Sequence, residues 1–524
     1  MTDVRAVAQE WLRADPDPET RAELEALLAG DPDVLAERFA GRLQFGTAGL
    51  RGELGAGPLR MNRVIVQRAA TGLVRWLLDA VPGAAERGVV VGYDARRNSD
   101  VFALDTARVC AAHGVRAHLL TGRQPTPVTA YATRQLGAAA GVMVTASHNP
   151  PADNGYKVYL GEGRQIVAPI DVEISRCIDE VTEVMLAPED DPLISRVDPV
   201  DAYLEHAATT TFTDERDVRA VYTPMHGVGR DVLLAAFERA GFPAPLVVRA
   251  QGDPDGSFPT VSFPNPEEPG AMDLLLALAA ESEADVALAN DPDADRLAAA
   301  IPVAAGGWRA LRGDEIGWLL ADHILRHTSG DDRLVVTTVV SSTLLRDMAA
   351  AHGVHHAETF TGFKWIAKTA LDHPDLRFVF GYEQALGYLV ADQPLDKDGI
   401  TAALAFAELV ACCKAEGITV EDRLHELEVE YGRHVTAERS VKVEPARMDE
   451  VMAALRAAPP SALAGHAVTE VSEIAEAGLL RYQCGEVFRV QVRPSGTEPK
   501  VKLYGEAVGD DPSPLLDDLA ARLT

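Results

Sequence analysis

The feature that most restricts this chain is a long alternation of short apolar runs with helical ones. Gly88–Tyr93 (GVVVGY) reads as a strand, Asp100–Ala112 as a helix ending near Gly114, Val115–Leu120 as a strand, Pro127–Leu136 as a helix and Ala139–Val144 (AAGVMV) as a strand. The rhythm returns at Ala220–Tyr222, Asp231–Ala240, Leu246–Arg249, Met272–Ser282 and Asp285–Ala289. It returns again at Leu334–Val340, helices Leu344–Ala351 and Phe363–Leu371, and strand Arg377–Phe380. Strands alternating with helices predict α/β layers around largely parallel sheets. From about Tyr431 the pattern changes: strands His434–Val443, Val487–Val492 and Lys500–Glu506 dominate, with helices near Met448–Ala457 and Pro514–Arg522. That segment predicts a separate α+β domain. Three α/β blocks and one α+β block suit a chain of 524 residues, at about 150 residues per domain.

Ahead of the first block, about 42 residues read as two helices. Val7, Trp11 and Leu12 share one apolar face, and Leu24, Leu27 and Leu28 another. Asp15-Pro16-Asp17-Pro18 separates them, with Pro18 suited to the first turn of the second. The expectation is a helical extension packed on the main body. Asp253–Gly270 is the longest irregular stretch, and loops of that length are often functional.

Charge narrows the function. Lys and Arg number 49 against 79 Asp and Glu, a formal net charge of −30. A chain that coats nucleic acid or docks on an anionic membrane needs clustered cations, so both partners are excluded as expectations. A small anionic substrate remains open, because a basic cleft can sit on an acidic exterior. Cys110, Cys177, Cys412, Cys413 and Cys484 form no CxxC pair and no zinc spacing. The start of the chain lacks a basic run followed by an apolar one, and no stretch approaches the ~18 apolar residues of a membrane span. The expected setting is the cytoplasm.

Five segments concentrate chemistry-bearing residues. Asn290-Asp291-Pro292-Asp293-Ala294-Asp295-Arg296 follows the strand Asp285–Ala289. Carboxylates at alternate positions of a turn can converge on a hard cation such as Mg²⁺. An EF-hand is excluded, since its sixth position is Arg296 and its twelfth Pro302. A nucleophilic Asp of a phosphatase, or simply an Asx-rich turn, fits the same residues. Thr145-Ala146-Ser147-His148-Asn149-Pro150 follows the strand Ala139–Val144, at the strand end where α/β sheets bind ligands. Ser147 beside His148 can be a nucleophile with a base, or a backbone-bonded turn before Pro150. Arg493-Pro494-Ser495-Gly496-Thr497-Glu498-Pro499-Lys500 can wrap a phosphate, and it can also be the hairpin turn between two strands. Phe45-Gly46-Thr47-Ala48-Gly49-Leu50-Arg51-Gly52 lets backbone approach a ligand with Arg51 on an anion; it is neither GxGxxG nor a Walker loop. Gly381-Tyr382-Glu383-Gln384-Ala385-Leu386-Gly387-Tyr388 offers Glu383 to sugar hydroxyls, or is an ordinary strand-end turn.

Taken together and in this order, the five segments resemble the α-D-phosphohexomutase superfamily of phosphoglucomutases and phosphomannomutases, from Phe45 to Lys500. FGTAGLRG, the paired amino-terminal helices, TPMHGVG (Thr223–Gly229) and TGFKWI (Thr361–Ile366) look most like its phosphoglucomutase-2/phosphopentomutase branch. The resemblance implies a heart-shaped molecule of three related α/β domains and one TATA-binding-protein-like domain, each giving one loop to a central cleft. Its expected segments are residues 1–42 (helical extension), 43–212 (phosphoserine loop), 213–309 (metal loop), 310–432 (sugar loop) and 433–524 (phosphate loop).

The same resemblance implies roles. Ser147 would carry the phosphoryl group, and Asp291, Asp293 and Asp295 would hold one Mg²⁺ together with a phosphoserine oxygen. Arg51 and Arg296 would lie near the phosphoryl group and substrate. Lys157 resembles the general acid/base, with His148 an accessory; a Lys among other cations can have a lowered pKa, which would suit it to moving a hydroxyl proton. Thr361, Gly362, Lys364 and Glu383 would meet the sugar, and Arg493, Ser495, Gly496 and Thr497 would clamp the phosphate that does not react. The implied activity converts glucose 1-phosphate to glucose 6-phosphate through glucose 1,6-bisphosphate, in a monomer or homodimer. Arg51, Lys157, Arg296 and Arg493 would then give a local positive field against the acidic exterior.

Many family members carry Ser two residues after the sugar-loop Glu, where this chain has Ala385. The pentomutase-like branch has a similar Ala, so ribose or deoxyribose phosphate, or mannose phosphate, stands as an alternative substrate. A sugar-phosphate sensor without catalysis is a different class of answer, against which intact Ser147, Lys157 and three aspartates argue.

Overall fold

The computed structural model describes residues 3–46, 48–495 and 500–523. The chain forms two compact units, Met1–Leu311 with Leu386–Ala415, and Arg312–Ala385 with Glu416–Thr524.

The first unit holds two sheets built to one plan. The first runs in the order Leu50–Glu53, Asp153–Leu160, Ala140–Val144, Val89–Tyr93, Ala117–Leu120, Ile194–Val197. Its last four strands are parallel, and Asp153–Leu160 returns antiparallel beside Ala140–Val144. The inner parallel strands Ala140–Val144, Val89–Tyr93 and Ala117–Leu120 are buried along most of their length, as strands with both faces covered must be, while the edge strand Ile194–Val197 is not. The second sheet runs Trp308–Ala310, Ala298–Pro302, Val286–Ala289, Ala220–Thr223, Leu246–Val247. Its parallel core also ends in an antiparallel return, from Val286–Ala289 into Ala298–Pro302. In each sheet the motif loop is the connection between a buried parallel strand and its return. Register then decides what flanks the loop: Lys157 lies opposite Met143, and Arg51 opposite Gly155. Two motifs a hundred residues apart are thereby brought to one sheet edge.

Most predicted elements of this unit are present, and several unforeseen ones join them. Helix Arg63–Ala80 is buried over most of its first fifteen residues, with Val64, Val66, Ala69, Leu73 and Leu77 in the core. Gly72 lets it touch helix Ile170–Asp179, since a Cβ there would lie 2.4 Å from Ile178 Cγ1. The amino-terminal segment has three helices rather than two: Val4–Ala14, Pro18–Ala29 and Pro32–Arg38. Asp3, Asp17 and Asp31 cap them, and Pro18 and Pro32 begin the second and third. Ala8, Trp11, Leu24 and Leu35 join the core of the first sheet. No strand or helix interrupts residues 248–272.

In the second unit, strands His355–Thr359, Arg333–Thr338 and Arg377–Glu383 lie side by side and parallel. The carboxyl-terminal sheet is antiparallel throughout: His434–Lys442, Lys500–Val508, Phe488–Pro494, Leu479–Cys484, His466–Ile474, Ala462–Leu463. Helices Met448–Ala457 and Ser513–Ala521 contribute Val451, Met452, Leu455, Leu515, Leu516 and Leu519 to its core. The α+β reading of this segment therefore holds, with additional strands that the sequence did not suggest. Among the described residues, no helix is long and apolar enough to cross a membrane.

Candidate active site

Ser147 sits just past the parallel strand Ala140–Val144, at a positive φ of 49° that an L-residue adopts only under constraint. Its amide donates to Thr145 Oγ1 at 2.8 Å, fixing the turn. The buried hydroxyl donates to Asp291 Oδ2 at 2.7 Å and lies 3.1 Å from His148 Nδ1.

Asp291, Asp293 and Asp295 are fully buried, with ligand oxygens within 4.8 Å of one another. The turn tightens at Ala294, whose φ is 57° and whose amide donates to Asp291 O. Neighbouring segments hold it. Tyr222 donates to Asn290 Oδ1 at 2.8 Å, and Asn290 Nδ2 to Arg296 O at 2.6 Å. Val228 N donates to Pro292 O, and only a glycine fits at 227, because a Cβ there would meet Pro292 Cα at 2.3 Å. Thr126 donates its amide to Asp293 O and its hydroxyl to Asp293 Oδ2, the latter at 2.5 Å.

These residues fit a divalent cation. Asp293 Oδ1 and Asp295 Oδ1 are buried with no hydrogen-bond partner, and an unpaired buried carboxylate oxygen is costly unless a cation meets it. Three carboxylates are the donor set a hard ion takes. Asp291 is pushed well above the usual carboxylate range by burial and by Asp293 and Asp295. Asp293 and Asp295 are instead held low; burial opposes their charge, but Lys157 overcomes it.

Lys157 Nζ donates to Asp293 Oδ2 and Asp295 Oδ2, both at 2.8 Å. This corrects the expectation of a lowered pKa. Burial does lower it, but the two carboxylates outweigh burial and the neighbouring Lys397, so the pKa is raised and the side chain is an ammonium. His148 goes the other way: burial, then Arg296 and Arg51, keep it neutral. Arg51 donates to Asn149 Oδ1 at 3.0 Å, and the Arg296 amide donates to Asp291 Oδ1 at 3.0 Å. The Arg296 guanidinium lies 3.3 Å from Glu267.

Three residues of this centre escaped the sequence reading. Lys397 Nζ is 3.4 Å from Asp295 Oδ2, in the run Asp396-Lys397-Asp398-Gly399 at the start of helix Gly399–Glu416. A Lys between two carboxylates before a Gly was the available signal. Thr126 gave no signal, because its partner is 167 residues away. Arg96 holds the Ser147 loop from beneath, as described below.

The remaining predicted residues belong to the second unit. Glu383 ends strand Arg377–Glu383 and is 7% exposed. Gly362, at φ 110°, caps helix Phe363–Asp372, which carries Lys364 in its first turn. Thr361 Oγ1 is buried without a partner. Arg493 lies on strand Phe488–Pro494 with its guanidinium 5.8 Å from the Tyr504 ring centroid. Ser495 N donates to Lys500 O at 2.8 Å across the expected hairpin. Gly496 and Thr497 lie outside the described residues. Of the four expected cations, Arg51, Lys157 and Arg296 gather in the first unit, and Arg493 stands in the second.

A serine hydroxyl on a buried carboxylate triad, at the strand ends of an α/β fold with a carboxyl-terminal α+β domain, defines a phosphosugar mutase. The chain belongs to the α-D-phosphohexomutase superfamily: the phosphoglucomutase/phosphomannomutase alpha/beta/alpha domains I, II and III match residues 42–185, 201–304 and 312–431, and the C-terminal domain matches 438–523. It is 44% identical to a Haemophilus influenzae protein named "Probable phosphomannomutase", over 86% of this chain and 94% of that one. A mouse phosphopentomutase is 36% identical (82% and 74%), and the human glucose 1,6-bisphosphate synthase 35% (95% and 89%). The fold is shared with a crystal structure from Thermus thermophilus assigned as a phosphomannomutase, at TM-score 0.73 and 25% identity over 92% of this chain and 99% of that one. The protein is thus an enzyme that moves a phosphoryl group within a sugar phosphate.

Proposed function

We propose that the chain is a phosphoglucomutase, interconverting glucose 1-phosphate and glucose 6-phosphate through phosphorylated Ser147 and glucose 1,6-bisphosphate. The observation that carries this reading is the Ser147 hydroxyl on Asp291, beside two carboxylates with oxygens to spare. Asp291, Asp293 and Asp295 would hold one Mg²⁺, which when bound supplies positive charge to phosphoryl oxygens in transit.

This chain's residues do the rest. A sugar hydroxyl oxygen forms the new P–O bond as the Ser147 Oγ–P bond breaks. The hydroxyl proton passes to a neighbouring base, and the serine oxygen is left to take up the charge. His148, neutral and 3.1 Å from Ser147 Oγ, can accept a proton, and the Lys157 ammonium can return one. Arg51 and Arg296 offset charge on the phosphoryl oxygens. The bisphosphate then turns end for end, and Ser147 takes the other phosphate. Thr361, Gly362, Lys364 and Glu383 would meet sugar hydroxyls, and Arg493, Ser495, Gly496 and Thr497 the idle phosphate. Both sets must accept either orientation of the intermediate.

Ala385 supports a second reading, a phosphopentomutase, because the missing hydroxyl removes a contact a hexose would use. The pentomutase and bisphosphate synthase relatives are in keeping with that branch. Two measurements test the proposal. Ser147→Ala should reduce turnover by about a thousandfold or more while sugar phosphate still binds; full activity in that variant would end the phosphoserine reading. Steady-state kinetics on glucose, mannose and ribose 1-phosphates, each with catalytic bisphosphate, should give glucose the highest kcat/KM. A preference for ribose would replace phosphoglucomutase with phosphopentomutase.

A further inference from the structure

Arg96 lies on the bend between strand Val89–Tyr93 and helix Ser99–Ala112, and its side chain is wholly buried. Its two terminal nitrogens carry four hydrogens, and these meet four backbone carbonyls of a single loop. Nη2 donates to Ser147 O at 2.6 Å and Asn149 O at 2.5 Å; Nη1 donates to Pro150 O at 2.7 Å and Asp153 O at 3.0 Å. Asp94, itself buried, lies 3.5 Å from Nε and accepts the Arg96 amide and the Ser99 hydroxyl, which sets the guanidinium's direction.

The other side of the guanidinium is covered by the irregular stretch 253–270. The Phe258 ring centroid is 4.9 Å from Arg96 Cζ, and Phe258 is buried at a positive φ of 47°. Gly256 permits the approach, since a Cβ there would stand 2.6 Å from Ala95 O and 2.8 Å from Arg96 Cα. The same stretch reaches the reacting groups: Phe263 packs edge-on to His148 at 6.3 Å, and Glu267 pairs with Arg296.

We propose that Arg96 is a positioning residue: by taking up four carbonyls of the 147–153 loop while sandwiched beneath Phe258, it fixes where Ser147 Oγ stands relative to Asp291. This rests on the reading that Ser147 carries the phosphoryl group. Inside the loop Asn149 N donates to Ala146 O and Asp153 N to Pro150 O, while Ser147 O and Asn149 O accept from Arg96, so the guanidinium supplies donors to the part of the loop that carries Ser147. A planar fork can satisfy four diverging acceptors, and a lysine ammonium with three donors at one point cannot. Arg96 touches no reacting atom, so its effect is on the rate of phosphoryl transfer and not on sugar binding.

Arg96→Ala and Arg96→Lys in the full chain test this. The readouts are melting temperature, kcat and KM for glucose 1-phosphate, and phosphoryl uptake by Ser147 from glucose 1,6-bisphosphate, followed by intact-protein mass spectrometry. The expected result is a folded Arg96→Ala with kcat and uptake rate lowered about a hundredfold and KM within about threefold, as a misplacement of about 1 Å would cause. Guanidinium chloride at about 50 mM should restore at least about tenfold of the lost kcat, and Arg96→Lys should remain as slow as Arg96→Ala. A purely structural arginine would lower the melting temperature and give no such rescue. The proposal is overturned if either folded variant keeps kcat within about threefold of the parent, if guanidinium leaves kcat unchanged, or if neither variant folds. Should the parent protein itself take no phosphoryl group on Ser147, the proposed function fails instead.

Discussion

In the second unit, Glu506 is buried among donors; in the first, three buried aspartates lack enough of them. Glu506 Oε1 accepts from Ser342 Oγ at 2.6 Å and Thr343 N at 2.8 Å and lies 3.0 Å from His434 Nδ1, while Oε2 lies 2.6 Å from Arg489. Burial would raise its pKa, but His434, Arg489 and Ser342 bring it down to about 2. Its donors come from the loop after strand Arg333–Thr338 and from strands His434–Lys442 and Phe488–Pro494, so this one carboxylate ties the carboxyl-terminal sheet to its parallel neighbour. The aspartates are arranged differently. Lys157 and Lys397 serve Asp293 and Asp295, while Asp291 is met by a hydroxyl, an amide and a neutral imidazole. Two carboxylate oxygens stay bare, and Asp291 resists ionising. A satisfied buried charge holds a fold together. An unsatisfied one is held by the fold, at a cost in stability, for something that binds later.

That contrast predicts opposite responses to neutralising one carboxylate. Asp291→Asn should lower phosphoryl transfer by roughly a hundredfold or more, because it removes an acceptor for the Ser147 hydroxyl and one of the expected cation ligands. Without added metal its melting temperature should stay close to the parent's, since Asp291 already resists ionising there and Asn is near in shape to the neutral carboxyl. In the parent, Mg²⁺ should raise the melting temperature through preferential binding to the folded state, and Asp291→Asn should blunt that rise. A variant that melts well below the parent in metal-free buffer would show the triad to be a stabilising cluster after all.

Glu506→Gln should do the reverse. Its folded pKa of about 2 lies below the 4.5 of a free Glu. The stabilisation is therefore full above about pH 4.5 and is lost as pH falls toward 2, and the shift corresponds to about 3 kcal/mol. The variant should melt several degrees lower at pH 7, and its stability should fall less steeply than the parent's from about pH 5 downward. With the first unit's centre untouched, phosphoryl uptake by Ser147 should change less than about threefold. Asp314, pushed up to about 6 by burial and by the charge of Glu506, works against this on the neutral side: its share of stability is present below about 3.8 and is lost as pH rises through 6. An unchanged acid limb in Glu506→Gln would remove Glu506 as the source of the contrast.

Both clusters also show what a sequence reveals. The aspartates were legible because DPDADR packs three carboxylates into five residues after an apolar strand, and Ser147 because TASHNP is equally local. The Glu506 network was not legible, since Ser342, His434, Arg489 and Glu506 meet only through tertiary pairing. Arg96 was missed for the same reason: its ligands are carbonyls, which every residue has. Among the folds, the alternating blocks were readable from short apolar runs such as GVVVGY and AAGVMV between helical segments. Strand His466–Ile474 was not, because its sequence HAVTEVSEI is largely exposed and offers little apolar face to detect. Lys157 was found by resemblance, yet its ionisation was misjudged, because the register that sets it against Asp293 and Asp295 is absent from a linear reading.

The smallest expected effect concerns the proposed preference among sugars, at Ala385. Ala385 stands two residues past Glu383, the last residue of a strand whose Tyr382 hydroxyl is fixed on Asp314 at 3.0 Å, and the Gln384 amide between them donates to Ser341 Oγ. The loop is thus anchored on both sides of Glu383, and a serine at 385 would add one hydroxyl to a backbone already held. A single hydroxyl contact that can still be solvated discriminates by about 1 kcal/mol, or about fivefold. Ala385→Ser should therefore raise the ratio of glucose to ribose kcat/KM by less than about tenfold, through KM more than kcat, and leave phosphoryl uptake on Ser147 unaltered. A change in Ser147 uptake would mean that position 385 acts on the Ser147 centre as well as on the choice of sugar, and Ala385 would no longer stand apart from the aspartate cluster.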